Sequence, residues 1–283
     1  MAAEDQRSRE ARTAAEAALV RVVHHYGARP EFVVIGGLVP ELLCANSAFL
    51  HAGTTDVDVQ VNLEIACGAV NTRRLEHALR NAEFEPDAER VWRWTADTTR
   101  TKTVVKFELL ADFDDQPAPS TIAFVECEQL GAANLRGTGF AVRDLDIHTL
   151  QARIGGVLHT VEVNVTGLAG FLLAKAAAAH SRRKPKDWYD IAFVLLHNNA
   201  GGVTEAASQV LTRFRPELIG PIRTALEDLQ ANFADPNSQG PKAYADQMLI
   251  DHPELDPRTL LADAVTAIDE FCGLTVGTPT TSS

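Results

Sequence analysis

The sequence lacks several features that would assign it to a common class of protein. Its cysteines have no paired spacing and lie at Cys44, Cys67, Cys127 and Cys272. Neither a zinc site nor a disulfide framework is therefore indicated, and we expect a reduced, cytoplasmic protein. No stretch approaches the roughly 20 apolar residues of a membrane span, so we expect no membrane association. Residues 1–18 are polar and lack the apolar segment of a signal peptide.

Positive charge is also scarce. There are 26 Lys and Arg residues against 38 Asp and Glu, which gives a net charge of -12. Because neutralising phosphates needs a basic surface, this balance argues against a general nucleic-acid binder. The densest basic cluster is Arg182-Arg183-Lys184-Pro185-Lys186. The sequence contains no P-loop, no Gly-x-Ser-x-Gly nucleophile elbow and no His/Cys metal spacing.

What is present indicates two folded domains. With 283 residues, of which 46% are hydrophobic, the chain exceeds the usual size of one domain. Strand patterns dominate up to residue 165, including predicted strands at 121–127 and 140–150, and apolar helices follow Thr166, which we expect to cap the first of them. We predict an α/β domain with an N-terminal helix at 1–165, a helical domain at 166–272 and a disordered tail at 273–283.

A glycine turn and two aspartates are the most informative local pattern. Gly36 and Gly37 follow a short apolar strand and precede a predicted helix at 37–48, where backbone amides can approach phosphate oxygens closely. Asp56 and Asp58 alternate with valines on a predicted strand, so both carboxylates lie on one face. Two adjacent carboxylates repel each other unless a divalent ion or a raised pKa relieves the repulsion. The pattern indicates a divalent-metal site.

A second strand offers a third carboxylate. Lys106 and Glu108 share one face of the predicted strand 103–110, and Glu108 could complete a metal cluster with Lys106 beside it. Asp112 has the same parity and is a rival. An exposed strand face with one cation and one anion explains the motif equally well.

One lysine lies within an apolar helix. Lys175 needs a carboxylate or a phosphate beside it, because burying an ammonium alone is costly. Asp187 and Asp190, one helical turn apart, are its natural partners. This pattern fits a structural ion pair and a nucleotide contact equally well.

Taken in order, these motifs resemble those of the AbiEii/MenT family of nucleotidyltransferase toxins, within the polymerase-β-like nucleotidyltransferase superfamily. The resemblance covers roughly residues 30–200. It implies an α+β fold, in which a mixed sheet with helices precedes a helical C-terminal domain. It also implies the transfer of a nucleoside monophosphate from an NTP to tRNA, with Mg²⁺ as cofactor and an antitoxin protein as partner.

The resemblance assigns roles to individual residues. The catalytic residues it implies are Asp56, Asp58, Lys175, Asp187 and Asp190. The metal ligands are Asp56, Asp58 and Glu108. As nucleotide contacts we predict Gly36, Gly37, Thr54, Thr55 and Lys106, of which the threonines take the place of groups that the superfamily pattern has and this sequence lacks.

The sequence departs from the superfamily pattern in three places. The usual serine after the first glycine is Gly37, the arginine often found before the first aspartate is Ala52, and the motif Lys-x-acid ends in Glu108. Phosphate binding is then left to backbone amides and to His51, Thr54 or Thr55. Two alternatives remain: a nucleotidyltransferase that modifies a cationic small molecule, as in aminoglycoside adenylylation, and a non-catalytic binding protein. A basic rim built from the cluster 182–186 beside the cleft would favour an RNA acceptor.

Overall fold

The computed structural model describes residues 8–61, 69–98, 103–113 and 117–277. The strands are β1 (Val33–Ile35), β2 (Asp56–Gln60), β3 (Glu85–Pro86), β4 (Arg93–Thr98), β5 (Thr103–Ala111), β6 (Ser120–Ala123), β7 (Gly131–Asn134), β8 (Leu145–Ile154) and β9 (Val157–Thr166). The helices are α1 (Arg9–Tyr26), α2 (Val39–Leu43), α3 (Ala69–Asn81), α4 (Gly139–Val142), α5 (Leu168–Arg182), α6 (Pro185–His197), α7 (Val203–Phe214), α8 (Gly220–Asn232), α9 (Gln239–Asp251) and α10 (Pro257–Val276). Among these residues, no helix is both long and apolar enough to cross a bilayer.

The chain divides into two compact units. The N-terminal unit comprises Met1–Val39 and Gly53–Gly167, and the helical unit comprises Pro40–Ala52 and Leu168–Ser283. The predicted domain boundary at residue 165 assigns residues 40–52 to the first domain. The structure places them in the helical unit, where Asn199 bonds their backbone at Leu43 and Asn46.

The N-terminal unit is built on a mixed sheet. Its strand order is β3-β4-β5-β2-β1-β9-β8, and β7 pairs with both β5 and β6. The pairs β2–β5 and β1–β9 are parallel, whereas β1–β2, β4–β5 and β8–β9 are antiparallel. Helix α1 packs on strands of this sheet, and Val57, Val59, Val105 and Phe107 of β2 and β5 are fully buried. Because side chains alternate along a strand, the polar residues between them share the other face.

The helical unit packs its helices around α6. This helix is flanked by α5, α9 and α10, and its residues from Asp187 to Leu195 are all buried. Pro185 lies at its first turn, where the missing N–H group costs no helical hydrogen bond. The mixed sheet and the helical C-terminal region confirm the predicted fold class.

Some predicted elements are wrong in detail. Part of the strand expected at 140–150 is helix α4, the helix expected at 37–48 ends at Leu43, and the strand expected at 121–127 ends at Ala123. Thr166 ends β9 instead of capping α5, and α10 continues to Val276, so residues 273–276 of the predicted tail are helical. Residues 278–283 lie outside the described part of the chain.

Candidate active site

Gly36 sets the backbone against Asp58. Strand β1 pairs with β2 so that Ile35 lies opposite Asp58, and the chain turns at Gly36 with φ of 71°. A Cβ atom added to Gly36 would lie 2.0 Å from Oδ2 of Asp58. Only glycine allows both this left-handed φ and this close approach. The glycine turn therefore forms a cradle for the Asp58 carboxylate.

Gly37 leaves room for another side chain. A Cβ atom at this position would lie 2.8 Å from Cβ and 3.0 Å from Oγ1 of Thr54. The Thr54 hydroxyl accepts a hydrogen bond from the backbone N–H of Asp56 at 3.0 Å. The Thr55 hydroxyl donates to Oδ1 of Asp56 at 3.4 Å. Both threonines are buried, and together they hold the start of β2.

The parallel pairing of β2 and β5 brings the predicted strand motifs together. Asp56 lies opposite Lys106, and Asp58 lies opposite Glu108. The Lys106 ammonium is 3.5 Å from Oδ1 of Asp56. Nε of Arg93, on the neighbouring strand β4, donates to Oε1 of Glu108 at 2.6 Å. Three carboxylates and two cations thus share this region of the N-terminal unit.

Asp112, the predicted rival of Glu108, has a different role. Its Oδ2 accepts hydrogen bonds from the backbone N–H groups of Gly137 at 2.8 Å and Gly139 at 2.9 Å. Arg136 lies 3.6 Å from its other oxygen. Asp112 therefore fixes the turn before α4.

The carboxylates of β2 and β5 suit a hard cation in type. Oxygen ligands of this kind are those that Mg²⁺ prefers, and the Gly36 cradle fixes the Asp58 carboxylate. In the described ranges, no group of three or more His, Cys, Asp or Glu side chains is arranged to hold a metal ion. Lys106 lies beside Asp56, and Arg93 lies beside Glu108. In chemical type, though not in their present arrangement, these carboxylates fit Mg²⁺.

The helical unit contains the second predicted cluster. Lys175 is buried, and its Nζ donates to Oδ2 of Asp190 at 2.7 Å and to Oδ1 of Asp187 at 3.3 Å. Arg182 also donates to Oδ1 of Asp187, at 2.8 Å. Burial by itself would lower the pKa of Lys175, but the carboxylates of Asp190 and Asp187 outweigh it and raise that pKa above its ordinary value. The predicted partners of Lys175 are thus brought together around a charged ammonium.

His51 belongs to the same cluster. Its Nε2 lies 2.9 Å from Oδ1 of Asp190, and its ring packs against Tyr189 and Phe193. The backbone N–H of His51 donates to Glu41 at 3.1 Å, and that of Ala52 donates to the Tyr189 hydroxyl at 3.0 Å. The sequence offers His51 as a candidate phosphate contact, with Thr54 and Thr55 as the other two. The His51 ring is instead buried against Asp190, and its side chain packs on helix α6 of the helical unit.

The basic cluster at 182–186 is partly engaged within the chain. Arg182 is bound to Asp187, and Arg183 lies 3.0 Å from Asp228. Lys184 is exposed at the start of α6, and Lys186 is half-buried. Fewer cations are therefore available for an acceptor than the sequence suggested.

Sequence reasoning missed Arg93 and the partner of His51. Arg93 lies opposite Glu108 in the β4–β5 pairing. In the sequence, only its alternation with Trp92 and Trp94 indicates that Arg93 lies on the polar face of the strand. His51 and Asp190 are separated by 139 positions. No local pattern indicates a contact over that distance.

Comparison with known families agrees with these observations. The model of the family described as "Nucleotidyl transferase AbiEii toxin, Type IV TA system" matches residues 133–270. The match confirms the family resemblance and the assignment of the chain as a nucleotidyltransferase. It includes Lys175, Asp187 and Asp190, whereas the residues of β2 and β5 lie outside it. No curated protein matches the chain.

Proposed function

We propose that the chain, which matches the AbiEii nucleotidyl transferase toxin family over residues 133–270, transfers a nucleoside monophosphate from an NTP to a hydroxyl group of tRNA. The observation that carries the proposal is the Asp58 carboxylate held against Gly36, with Asp56 beside it on β2 and Glu108 opposite it on β5. The family description also implies an antitoxin as partner.

We assign the metal site to the N-terminal unit. Asp56 and Asp58 would hold Mg²⁺, with Glu108 as a third ligand after its release from Arg93. Magnesium bound there would offset the negative charge of the triphosphate and of the leaving pyrophosphate. In the reaction, the acceptor oxygen forms a bond to the α-phosphorus, and the bond from that phosphorus to the β-phosphate oxygen breaks. Pyrophosphate leaves with the electron pair, and the hydroxyl proton passes to solvent.

We assign phosphate binding to Thr54 and to the backbone of Gly36 and Gly37. The missing superfamily serine at position 37 has a replacement, because the Thr54 side chain fills the space that a serine there would need. The Thr54 oxygen already accepts a hydrogen bond from Asp56 N–H, so its own proton can be donated to a phosphate oxygen. Thr55 is the weaker candidate, since its hydroxyl is directed to Asp56.

In the helical unit, we propose that Lys175 contacts the triphosphate. Two of the three N–H bonds of its ammonium point to Asp187 and Asp190, and the third is the one we assign to phosphate. Asp187 and Asp190 would keep the ammonium charged and oriented. In this role Lys175 forms a structural ion pair with Asp187 and Asp190 and also contacts the nucleotide, which are the two explanations that the sequence left open.

Two observations favour the alternative acceptor. The internal pairing of Arg182 and Arg183 reduces the charge available for RNA, and the chain carries a net charge of -12. A cationic small molecule would suit that balance better.

The acceptor can be identified directly. The protein is incubated with each α-³²P-labelled NTP, magnesium and either total RNA or a panel of aminoglycosides, with Asp58→Ala as the control. We expect label in a tRNA-sized band from the parent protein and none from the variant. Label in the aminoglycoside alone would select the alternative.

A further inference from the structure

Two ion pairs hold the carboxylates of the proposed metal site. Lys106 lies 3.5 Å from Asp56, and Arg93 contacts Oε1 of Glu108 at 2.6 Å. All four side chains are at least three-quarters buried. Attraction between opposite charges is stronger here than in bulk water, because partial burial lowers the effective dielectric constant. These pairs therefore compete with any cation that approaches the carboxylates.

Among the described residues, the charges of three carboxylates and two cations on β2, β4 and β5 nearly cancel. The carboxylates of Asp56, Asp58 and Glu108 contribute three negative charges, and Lys106 and Arg93 contribute two positive ones. One net negative charge is a weak attractor for a divalent ion. A divalent ion bound to Asp56 would also lie within a few ångströms of the Lys106 ammonium, where the two positive charges repel each other. Lys106 must move before Asp56 can take up such an ion.

We propose that Lys106 is the counterion of Asp56 in the nucleotide-free protein and exchanges Asp56 for the triphosphate when an NTP binds. Metal and nucleotide then bind cooperatively, because each removes an obstacle to the other. The nucleotide provides phosphate oxygens that accept hydrogen bonds from the Lys106 ammonium. The metal ion replaces the positive charge that Asp56 loses when Lys106 moves away. This inference rests on the proposed function. It adds that the metal site is closed until the nucleotide arrives.

Arg93 offers a matched comparison within the same face. It carries the same charge as Lys106 but pairs with Glu108 on the side of β5 away from β2. Arg93 pairs with a different carboxylate from Lys106. Its removal therefore changes the net charge but leaves Lys106 able to exchange Asp56 for the triphosphate. The Arg93→Met variant therefore separates a general charge effect from the specific role of Lys106.

The test measures metal binding and not activity. Free Mn²⁺ is followed by electron paramagnetic resonance with the parent protein, alone and with the α,β-methylene analogues of the four NTPs. We expect weak Mn²⁺ binding alone and binding at least tenfold tighter with one of the analogues, a coupling within the usual range of about 5- to 150-fold. Equal Mn²⁺ affinity in both states would overturn the inference.

The variants give opposite signatures. In Lys106→Met we expect Mn²⁺ affinity without nucleotide to rise about tenfold and analogue affinity to fall about tenfold, so the coupling collapses. In Arg93→Met the nucleotide-free affinity also rises, but the coupling factor is retained. Lys106→Gln serves in the same way if the methionine variant does not fold. Unchanged or weaker Mn²⁺ binding in the Lys106 variants would overturn the exchange.

A further variant separates this inference from the proposed function. Asp58→Asn should lose Mn²⁺ binding in both states, since it removes a ligand and leaves Lys106 in place. If Asp58→Asn binds Mn²⁺ like the parent, the metal site and the proposed function fail together. If Asp58→Asn loses binding while Lys106→Met behaves like the parent, the function stands and the exchange is wrong.

Discussion

Gly36 and Asp58 are in such close contact that a Cβ atom on the glycine would lie 2.0 Å from the carboxylate oxygen. The residue also has φ of 71°, which non-glycine residues adopt only at a cost. Two independent constraints thus require glycine at this position. The first concerns the backbone, and the second concerns the position of a proposed metal ligand.

Gly36→Ala should abolish nucleotide transfer, because the added methyl group displaces the Asp58 carboxylate. Gly155→Ala is the matched control, since Gly155 has φ of 57° and no atom within 4 Å of an added Cβ. Both variants should lose stability by on the order of 1–2 kcal/mol through backbone strain. Thermal melting and label transfer are measured on both. Parental transfer rates in Gly36→Ala would show that the cradle has no catalytic importance.

Exchanging the hydroxyl between positions 37 and 54 tests whether Thr54 replaces the missing serine. Gly37→Ser should lower kcat/KM about tenfold or more, because the serine collides with Thr54, and Thr54→Ala should lower it through loss of the hydroxyl. In the double variant the serine occupies the vacated space, so part of the activity should return. Steady-state kinetics measures the three variants. If the two losses simply add, Thr54 and position 37 are independent.

The sequence predicted the parts of the site but not their pairing. Strand alternation placed Asp56 with Asp58 and Lys106 with Glu108 on shared faces, because the period of a strand is local information. The register that sets Asp56 opposite Lys106 depends on how β2 and β5 pair across the sheet. That pairing is a property of the whole fold.

Errors at element ends have a similar origin. Residues 140–142 are apolar and were predicted to start a strand, yet they lie in α4, after a turn that Asp112 stabilises. Thr166 is typical of a helix cap, but the pairing of β9 with β8 extends through it. In both places a contact with a distant segment overrides the local preference.

Asp190→Asn should destabilise the helical unit. The change leaves the buried Lys175 with a weaker partner and alters the bond to His51, and breaking buried pairs of this kind costs about 3–5 kcal/mol. Urea unfolding followed by circular dichroism measures the loss. Glu227→Gln is the control, since its pair with Arg223 is about half exposed and should contribute less than about 1 kcal/mol. Equal stability of Asp190→Asn and Glu227→Gln would show that the cluster is not a structural ion pair.

Stability should fall between pH 6.5 and 4 because of His197. Burial lowers the pKa of this histidine from 6.5 to about 4. Over that range the unfolded chain binds a proton that the folded protein does not, so acid favours unfolding. The contribution is fully present above pH 6.5, and its loss amounts to on the order of 3 kcal/mol at pH 4. Urea unfolding at several pH values should show a shallower dependence in His197→Gln, and an unchanged dependence would contradict the assignment.

RNA binding should depend on salt through the cluster at 182–186. Replacing Arg182, Arg183, Lys184 and Lys186 with alanine should flatten the dependence of RNA affinity on salt concentration, since each lost phosphate contact lowers the slope by about 0.7–0.9. Affinity for an NTP analogue should change by a smaller factor, through the lost bond from Arg182 to Asp187. Lys242→Ala, at an exposed position on α9, is the control. An unchanged slope would move the acceptor to another surface.

The most direct test of the central claim compares two radioactive labels. The protein is given the same NTP labelled with ³²P at the α or the γ position, together with magnesium and the acceptor. The account predicts that only the α label reaches the acceptor, that the γ label leaves as pyrophosphate, and that Asp56→Ala and Asp58→Ala transfer neither although both remain folded. Transfer of the γ label, or undiminished α transfer by both folded variants, would contradict it.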